Sequence, residues 1–135
     1  MRVRAAGGEP TMRALVIDDS RTVRAIVGKI LRDEGLEVVE AANGREGLER
    51  LREGPGAELV LVDWNMPEMN GLEFIKAVRA DAAYDAVRIM MVTTETEQEQ
   101  VVRALEAGAN EYVMKPFTRE ILVAKLSLLD ALGGD

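Results

Sequence analysis

The sequence of 135 residues contains no cysteine and no histidine. The absence of cysteine excludes a disulfide scaffold and a thiol redox centre, and the absence of both residues excludes a Cys/His zinc site. Nucleophile pairs that need a histidine base are excluded for the same reason. Any chemistry must therefore use carboxylates, hydroxyls, lysine, the backbone or a hard metal ion.

Long apolar segments and an excess of positive charge are missing as well. No segment approaches the ~20 apolar residues that cross a membrane, and we predict no membrane insertion. The 17 basic and 24 acidic side chains give a formal net charge of −7. This charge argues against direct binding of nucleic acid, because Lys and Arg neutralise the phosphates in such complexes. It fits a cytoplasmic protein or one that binds cations, and the length fits one domain.

Residues 1–11 show neither regular periodicity nor the apolar stretch of a signal peptide. They predict a short flexible leader. Met12 is a candidate natural start, because periodic structure begins directly after it. We therefore assign the folded domain to residues 12–135.

Five short apolar segments alternate with five helical patterns in the rest of the chain. Helical spacing of apolar residues predicts a helix after each apolar segment, the last one over residues 119–132. Repeated strand–helix alternation indicates an α/β fold, with a parallel sheet, right-handed crossovers and helices on both faces. The predicted strands cover residues 13–18, 36–41, 57–63, 87–92 and 110–114.

Polar side chains follow four of the five predicted strands. In an open parallel sheet, ligands bind outside the carboxyl ends of the strands, so we expect these side chains to meet at one edge. They comprise carboxylates, hydroxyls and one ammonium group. The residues are Asp18 and Asp19 after the first strand, Asp63 after the third, Thr93, Thr94 and Glu95 after the fourth, and Lys115 after the fifth.

Three of these carboxylates, Asp18, Asp19 and Asp63, would repel one another strongly unless a cation offsets their charge. An oxygen-only, partly hydrated site favours Mg²⁺, and such sites are commonly completed by a phosphate group. A carboxylate can also act as a nucleophile and form an aspartyl phosphate. Asp63 is the best candidate because it ends a buried central strand, whereas Asp18 and Asp19 look more like metal ligands.

Each of these signals is weak by itself. An Asp-Asp pair after a strand commonly forms a turn or a helix N-cap, and a Lys-Pro or Thr-Thr pair alone says little. The prediction depends on their conjunction, because the signals fall at the same end of four different strands, in order.

Together these residues resemble the receiver domains of two-component response regulators, and most of all the single-domain chemotaxis type. The resemblance covers about residues 13–132. It implies a flavodoxin-like doubly wound (βα)5 fold with strand order 2-1-3-4-5. The matching segments are Asp18-Asp19, Asp63-Trp64-Asn65-Met66-Pro67, Met69, Gly71-Leu72-Glu73, Val92-Thr93, Tyr112-Val113 and Lys115-Pro116-Phe117.

The resemblance assigns a role to each residue of this cluster. Asp63 would accept a phosphoryl group from a sensor histidine kinase or a phosphotransfer protein. Asp19, Asp63 and the backbone carbonyl of Asn65 would ligate Mg²⁺ directly, and Asp18 would act largely through water. Lys115 would pair with the phosphoryl oxygens.

The resemblance also implies a conformational switch. Thr93 would swing inward to hydrogen-bond the phosphoryl group, and Tyr112 would turn inward behind it. A target protein would then bind the face formed by the fourth helix, the fifth strand and the fifth helix. Residues near this face are Val102, Arg103, Glu106, Tyr112 and Lys125.

Several finer expectations follow from the same resemblance. Asn65 and Glu95 would tune how fast water attacks the aspartyl phosphate. The chain would catalyse only its own phosphorylation and dephosphorylation, so it is interpreted as a switch rather than an enzyme. The Lys115-Pro116 bond would be cis. The sequence departs from the family pattern at Thr94, where alanine is common, and at Asn70, where aspartate is usual.

The last predicted helix has a wide apolar face. Part of it must pack on the sheet, and the remainder could serve a partner or a weak homodimer contact. The residues of this face are Ile121, Leu122, Leu126, Leu128, Leu129 and Leu132.

Three alternatives stay open. The chain could be a receiver domain truncated from a longer regulator with an output domain. A phosphatase of the haloacid dehalogenase type also uses an Asp nucleophile and Mg²⁺, but the Asp-x-Asp-x-Thr spacing of that family is absent after the first strand. A constitutive interaction module would not need the acceptor residues, all of which are present.

Overall fold

The computed structural model describes residues 12–94 and 98–132. The leader assigned to residues 1–11 lies outside the described residues. The strands are β1 (Arg13–Ile17), β2 (Glu37–Ala41), β3 (Leu59–Asp63), β4 (Arg88–Thr94) and β5 (Glu111–Lys115). The helices are α1 (Arg21–Asp33), α2 (Gly44–Arg52), α3 (Gly71–Arg79), α4 (Gln98–Ala107) and α5 (Arg119–Leu132), and a short 3-10 helix (Ala82–Tyr84) separates α3 from β4.

The five strands form one parallel sheet in the order β2-β1-β3-β4-β5. This order confirms the predicted flavodoxin-like fold. Asp63 at the end of β3 stands opposite Val92 of β4, and Thr94 stands opposite Lys115 at the end of β5. Asp63, Thr94 and Lys115 therefore lie along one edge of the sheet, as the sequence predicted.

Two hydrophobic cores cover the two faces of the sheet, because successive strand residues point to opposite sides. In β1, Leu15 and Ile17 join the core that contains Leu48 of α2 and Phe74 of α3. The second core contains residues of α1 and α5 together with the alternate strand residues, including Ala14, Val16, Leu31, Leu122 and Leu126. The sheet is therefore buried on both faces, and the carboxyl edge remains open for a site.

The apolar patterns of α1 and α4 indicated the helices correctly but not every buried position. Ile26 of α1 is 56% exposed, although it shares the helical spacing of buried neighbours. In α4, Val102 and Leu105 are exposed, whereas the small Ala104 is fully buried. The 3-10 helix before β4 was not predicted. Among the described residues, no helix has the length and apolar character needed to cross a membrane.

Candidate functional site at the carboxyl edge of the sheet

Several residues predicted for the site lie at or directly after the carboxyl ends of the strands. Asp18 and Asp63 are buried, Thr93 is fully buried, and Asp19 is exposed. One carboxylate oxygen from each of the three aspartates lies within 4.8 Å of the others. The fold thus brings together side chains that are separated by up to 97 positions in the chain, as with Asp18 and Lys115.

Asp18 is anchored by both local and long-range hydrogen bonds. Its Oδ1 accepts from the backbone N–H of Ser20 at 2.8 Å, and its Oδ2 accepts from Lys115 Nζ at 2.9 Å. Ser20, rather than either aspartate, caps α1 by accepting from the backbone N–H of Val23. Asp18 can therefore form the turn after β1 and belong to the functional site at the same time.

Arg24 of α1 is a positioning residue that the sequence did not reveal. Its Nη1 donates to the backbone carbonyl of Asp18 at 2.7 Å, and its Nε pairs with Glu40 Oε1 at 3.0 Å. The guanidinium group therefore ties the turn after β1 to the edge strand β2. In the sequence, only its position one turn into α1 could have indicated this role, and many surface arginines share that position.

Asp63 is the least satisfied polar residue of the site. Its Oδ1 is buried without a hydrogen-bond partner, and Lys115 Nζ lies 3.7 Å from it. Burial, followed by repulsion from Asp18, raises the pKa of Asp63 to about 6, against the opposing effects of Lys115 and the backbone N–H of Asn65. Because buried acceptors are nearly always paired, this oxygen marks a place for a ligand.

The segment after β3 is held against the sheet and lines an open cavity. The backbone N–H of Trp64 donates to Val92, and that of Gly71 donates to Trp64. A side chain at Gly71 would lie 2.7 Å from the Asp63 carbonyl oxygen, so only glycine lets α3 start this close to the strand. The cavity of about 440 Å³ is lined by Asp19, Trp64, Asn65, Met66, Pro67 and Asn70.

The two predicted switch residues have partners on the neighbouring helices. The Thr93 hydroxyl donates to Gln100 Oε1 of α4 at 2.6 Å and lies 3.2 Å from the Thr94 carbonyl oxygen. Tyr112 is half-buried, and Lys125 Nζ of α5 lies 4.1 Å from the centre of its ring. Gln100 was not predicted, because no feature of the sequence distinguishes it from the other polar residues of α4.

The remaining predicted details fall into three groups. The Lys115-Pro116 bond is cis, as expected. Glu95 lies outside the described residues. The roles of Asn65, including that of its backbone carbonyl, stay predictions.

The three aspartates fit a hard divalent cation by the chemistry of their donors. All three offer oxygen, two of them are buried, and Asp63 Oδ1 still lacks a hydrogen-bond partner. Oxygen-only sets of this kind suit Mg²⁺ better than softer metals. Asp18, Asp19 and Asp63 are therefore the residues that could hold the ion.

A parallel sheet with this strand order and an acid cluster beside a cis Lys-Pro bond defines a class of signalling domain. The chain belongs to the response regulator receiver domain family, whose model matches residues 14–127. Members of this family are switches of two-component systems and are generally not enzymes in the usual sense.

Particular relatives sharpen this assignment. The chain is 44% identical over 119 residues to chemotaxis protein CheY1 of Helicobacter pylori, covering 87% of this chain and 96% of that protein. It is 46% identical over 123 residues to a chemotaxis protein CheY homolog of Campylobacter jejuni, covering 90% and 93%. The solved structure of the chemotaxis response regulator CheY4 of Vibrio cholerae matches with a TM-score of 0.82 at 38% identity, covering 87% and 98%.

Proposed function

We propose that this chain is a stand-alone phospho-acceptor switch that receives a phosphoryl group on Asp63 and then binds a target protein. The observation that carries this proposal is the buried Asp63 carboxylate, which has one oxygen without a hydrogen bond and lies close to Lys115 and two further aspartates. The alternative is a receiver truncated from a longer regulator.

The phosphoryl donor would be a phosphohistidine on a partner protein. This chain has no histidine, so a sensor histidine kinase or a phosphotransfer protein must carry the donor group. An oxygen of Asp63 attacks the phosphorus atom, the phosphorus–nitrogen bond breaks, and the imidazole leaves as neutral histidine after gaining a proton. The product is an aspartyl phosphate, which water later hydrolyses.

The charges around Asp63 suit this transfer, because phosphoryl transfer depends mainly on positioning and charge stabilisation. Lys115 Nζ lies 2.9 Å from Asp18 and 3.7 Å from Asp63, within reach of an arriving phosphoryl group. Asp19, Asp63 and the carbonyl of Asn65 would hold Mg²⁺, with Asp18 acting through water. When bound, Mg²⁺ supplies the positive charge that offsets the carboxylates and the phosphoryl oxygens.

The output would be the face formed by α4, β5 and α5. Thr93 and Tyr112 connect the site to this face, which carries the exposed side chains of Val102 and Leu105. A phosphoryl group that draws Thr93 inward would change the packing beneath α4, which is a local charge change with a remote effect. The target protein would recognise that change.

Several finer features complete the proposal. Asn65 and Glu95 would set the hydrolysis rate of the aspartyl phosphate, so the chain would catalyse only its own phosphorylation and dephosphorylation. The exposed Ile121 and Leu128 of α5 are available for a weak homodimer contact. We place this function in the cytoplasm, without direct nucleic-acid binding. The phosphatase and constitutive-module alternatives have no specific observation in their favour.

The test is phosphorylation by acetyl phosphate and Mg²⁺, read as an intact-mass gain of one phosphoryl group. Wild type should gain the group, and Asp63→Asn should not, because the amide cannot act as the nucleophile. Asp85→Asn, an exposed site, is the matched control and should react like wild type. A chelator should abolish the reaction. Equal labelling of Asp63→Asn and wild type would show that the acceptor assignment is wrong.

A further inference from the structure

The hydroxyl of Thr93 already donates a hydrogen bond to another side chain in this structure. Thr93 is fully buried, so its hydroxyl proton needs a protein acceptor. That acceptor is Gln100 Oε1 at 2.6 Å, with the Thr94 carbonyl oxygen farther away at 3.2 Å. Within the described residues, none of the hydroxyl's hydrogen bonds goes to Asp63, whose Oδ1 has no hydrogen-bond partner.

A threonine hydroxyl has one proton to donate. While that proton is directed at Gln100, it is not available to an oxygen of a phosphoryl group on Asp63. Formation of the second hydrogen bond therefore requires loss of the first. The exchange is favourable when the new acceptor is charged, because hydrogen bonds to ionised groups are stronger than those between neutral groups.

Gln100 also connects this exchange to the proposed output face. It lies in the first turn of α4, two residues before the exposed Val102 and four before the buried Ala104. Loss of the Thr93–Gln100 bond removes a direct polar tie between the end of β4 and the start of α4. The first turn of the helix is then free to move against the sheet.

We infer that Gln100 is a positioning residue that holds the Thr93 hydroxyl on the α4 side in the resting protein. Its hydrogen bond opposes activation, and its loss couples phosphorylation of Asp63 to movement of α4. This inference rests on the proposed function for its meaning in signalling. The resting hydrogen bond itself can be tested without any phosphoryl group.

The first experiment therefore uses the resting protein with Mg²⁺ and no phosphodonor. Protein with ¹³C-labelled threonine methyl groups is compared as wild type, Gln100→Leu and Glu99→Leu by NMR. Gln100→Leu introduces an apolar side chain of similar size and removes the acceptor oxygen, so the Thr93 methyl resonance should shift. Glu99→Leu is an exposed control in the same turn and should leave that resonance unmoved. An unmoved Thr93 resonance in Gln100→Leu would overturn the inference.

The second experiment measures the rate of phosphorylation by acetyl phosphate in a double-mutant cycle. Removal of one neutral hydrogen bond from the resting state should speed the reaction of Gln100→Leu about three- to tenfold, because the conformation with Thr93 inward becomes more populated. The same change in a Thr93→Val background should have no effect on the rate. An equal acceleration in both backgrounds would mean that Gln100 does not act through Thr93.

The conservative variant Gln100→Glu separates positioning from a merely structural role. Its carboxylate keeps an acceptor oxygen at the same reach, so it should react no faster than wild type, whereas a structural role would make both variants change alike. Failure of wild type to gain a phosphoryl group would contradict the proposed function, while the NMR comparison would still decide the role of Gln100.

Discussion

The polar groups at the two ends of the sheet differ in how completely they are hydrogen-bonded. At the amino ends of β4 and β5, the guanidinium group of Arg79 donates four hydrogen bonds. Its acceptors are the carbonyl oxygens of Gly108, Tyr84 and Val87 and the side-chain oxygen of Asn110, at 2.6–3.0 Å. At the carboxyl ends, Asp63 Oδ1 has no hydrogen-bond partner among the described residues, and three carboxylates lie together.

This contrast separates a structural network from a functional site. Buried polar groups that satisfy one another make the surrounding structure rigid, whereas an unsatisfied group remains costly until a ligand arrives. Arg79 joins α3, the 3-10 helix and the α4–β5 loop, and none of its hydrogen bonds to described residues involves the site. The network at the amino ends of the strands therefore stabilises the fold, whereas the charged cluster at the carboxyl ends, called the carboxyl edge, destabilises it and is available for chemistry. The amino ends of the strands are called the amino edge.

The largest effect on stability is expected at the amino edge. Arg79→Met should lower the free energy of unfolding by about 3–4 kcal/mol, because four partly buried acceptors lose a charged donor. Urea denaturation followed by circular dichroism measures the loss. Arg103→Met, at an exposed position, should change stability by about 0.5 kcal/mol or less.

The same variant tests whether the two edges are independent. Folded Arg79→Met should still be phosphorylated by acetyl phosphate at close to the wild-type rate. A large loss of phosphorylation under conditions where the variant is fully folded would contradict the separation of structural and functional edges.

An intermediate effect is expected from the pH dependence of stability at the carboxyl edge. The pKa of Asp63 is raised from 3.8 to about 6 in the folded protein, so the folded state binds more protons than the unfolded state between these values. Stability from this group is therefore present below about pH 4 and is lost as pH rises through 6. Solvent screens part of this difference, so the free energy of unfolding should change by about 1–3 kcal/mol.

Denaturation of metal-free wild type and Asp63→Asn at pH 4 and pH 7 measures this contribution. Wild type should lose stability relative to the variant as pH rises, and Mg²⁺ at pH 7 should reduce the loss. A stability difference between the two proteins that does not change with pH would contradict the assigned cost of charging Asp63.

The smallest effect is expected at Tyr112. Lys125→Met keeps most of the aliphatic stem but removes the charge that lies over the Tyr112 ring and pairs with Glu111. The loss should be about 0.5–1 kcal/mol, because the lysine is partly exposed. Thermal denaturation measures it, and Lys29→Met, which removes a more exposed ion pair, should cost less. A larger cost for Lys29→Met would show that the contact with the ring adds little.

The sequence predicted the fold and the end of the sheet at which the polar residues lie, because both depend on regular patterns. Alternating strand and helix signals require a parallel sheet, and a parallel sheet places Asp18, Asp63 and Lys115 at one edge whatever the details of packing. Helical spacing was less informative about burial. Ile26 fits the apolar stripe of α1 but is exposed, because a stripe does not specify how far the helix is rotated against the sheet.

Only the tertiary structure determined which atoms pair with each other. The nearer carboxylate to Lys115 is that of Asp18 rather than Asp63, the Thr93 hydroxyl is held by Gln100, and Arg24 fixes the carbonyl of Asp18. These choices depend on differences of about 1 Å in side-chain position, which are set by how α1 and α4 pack on the sheet. A sequence pattern gives the edge at which residues meet, but hydrogen bonds depend steeply on distance and angle, so only the packed structure decides the partners.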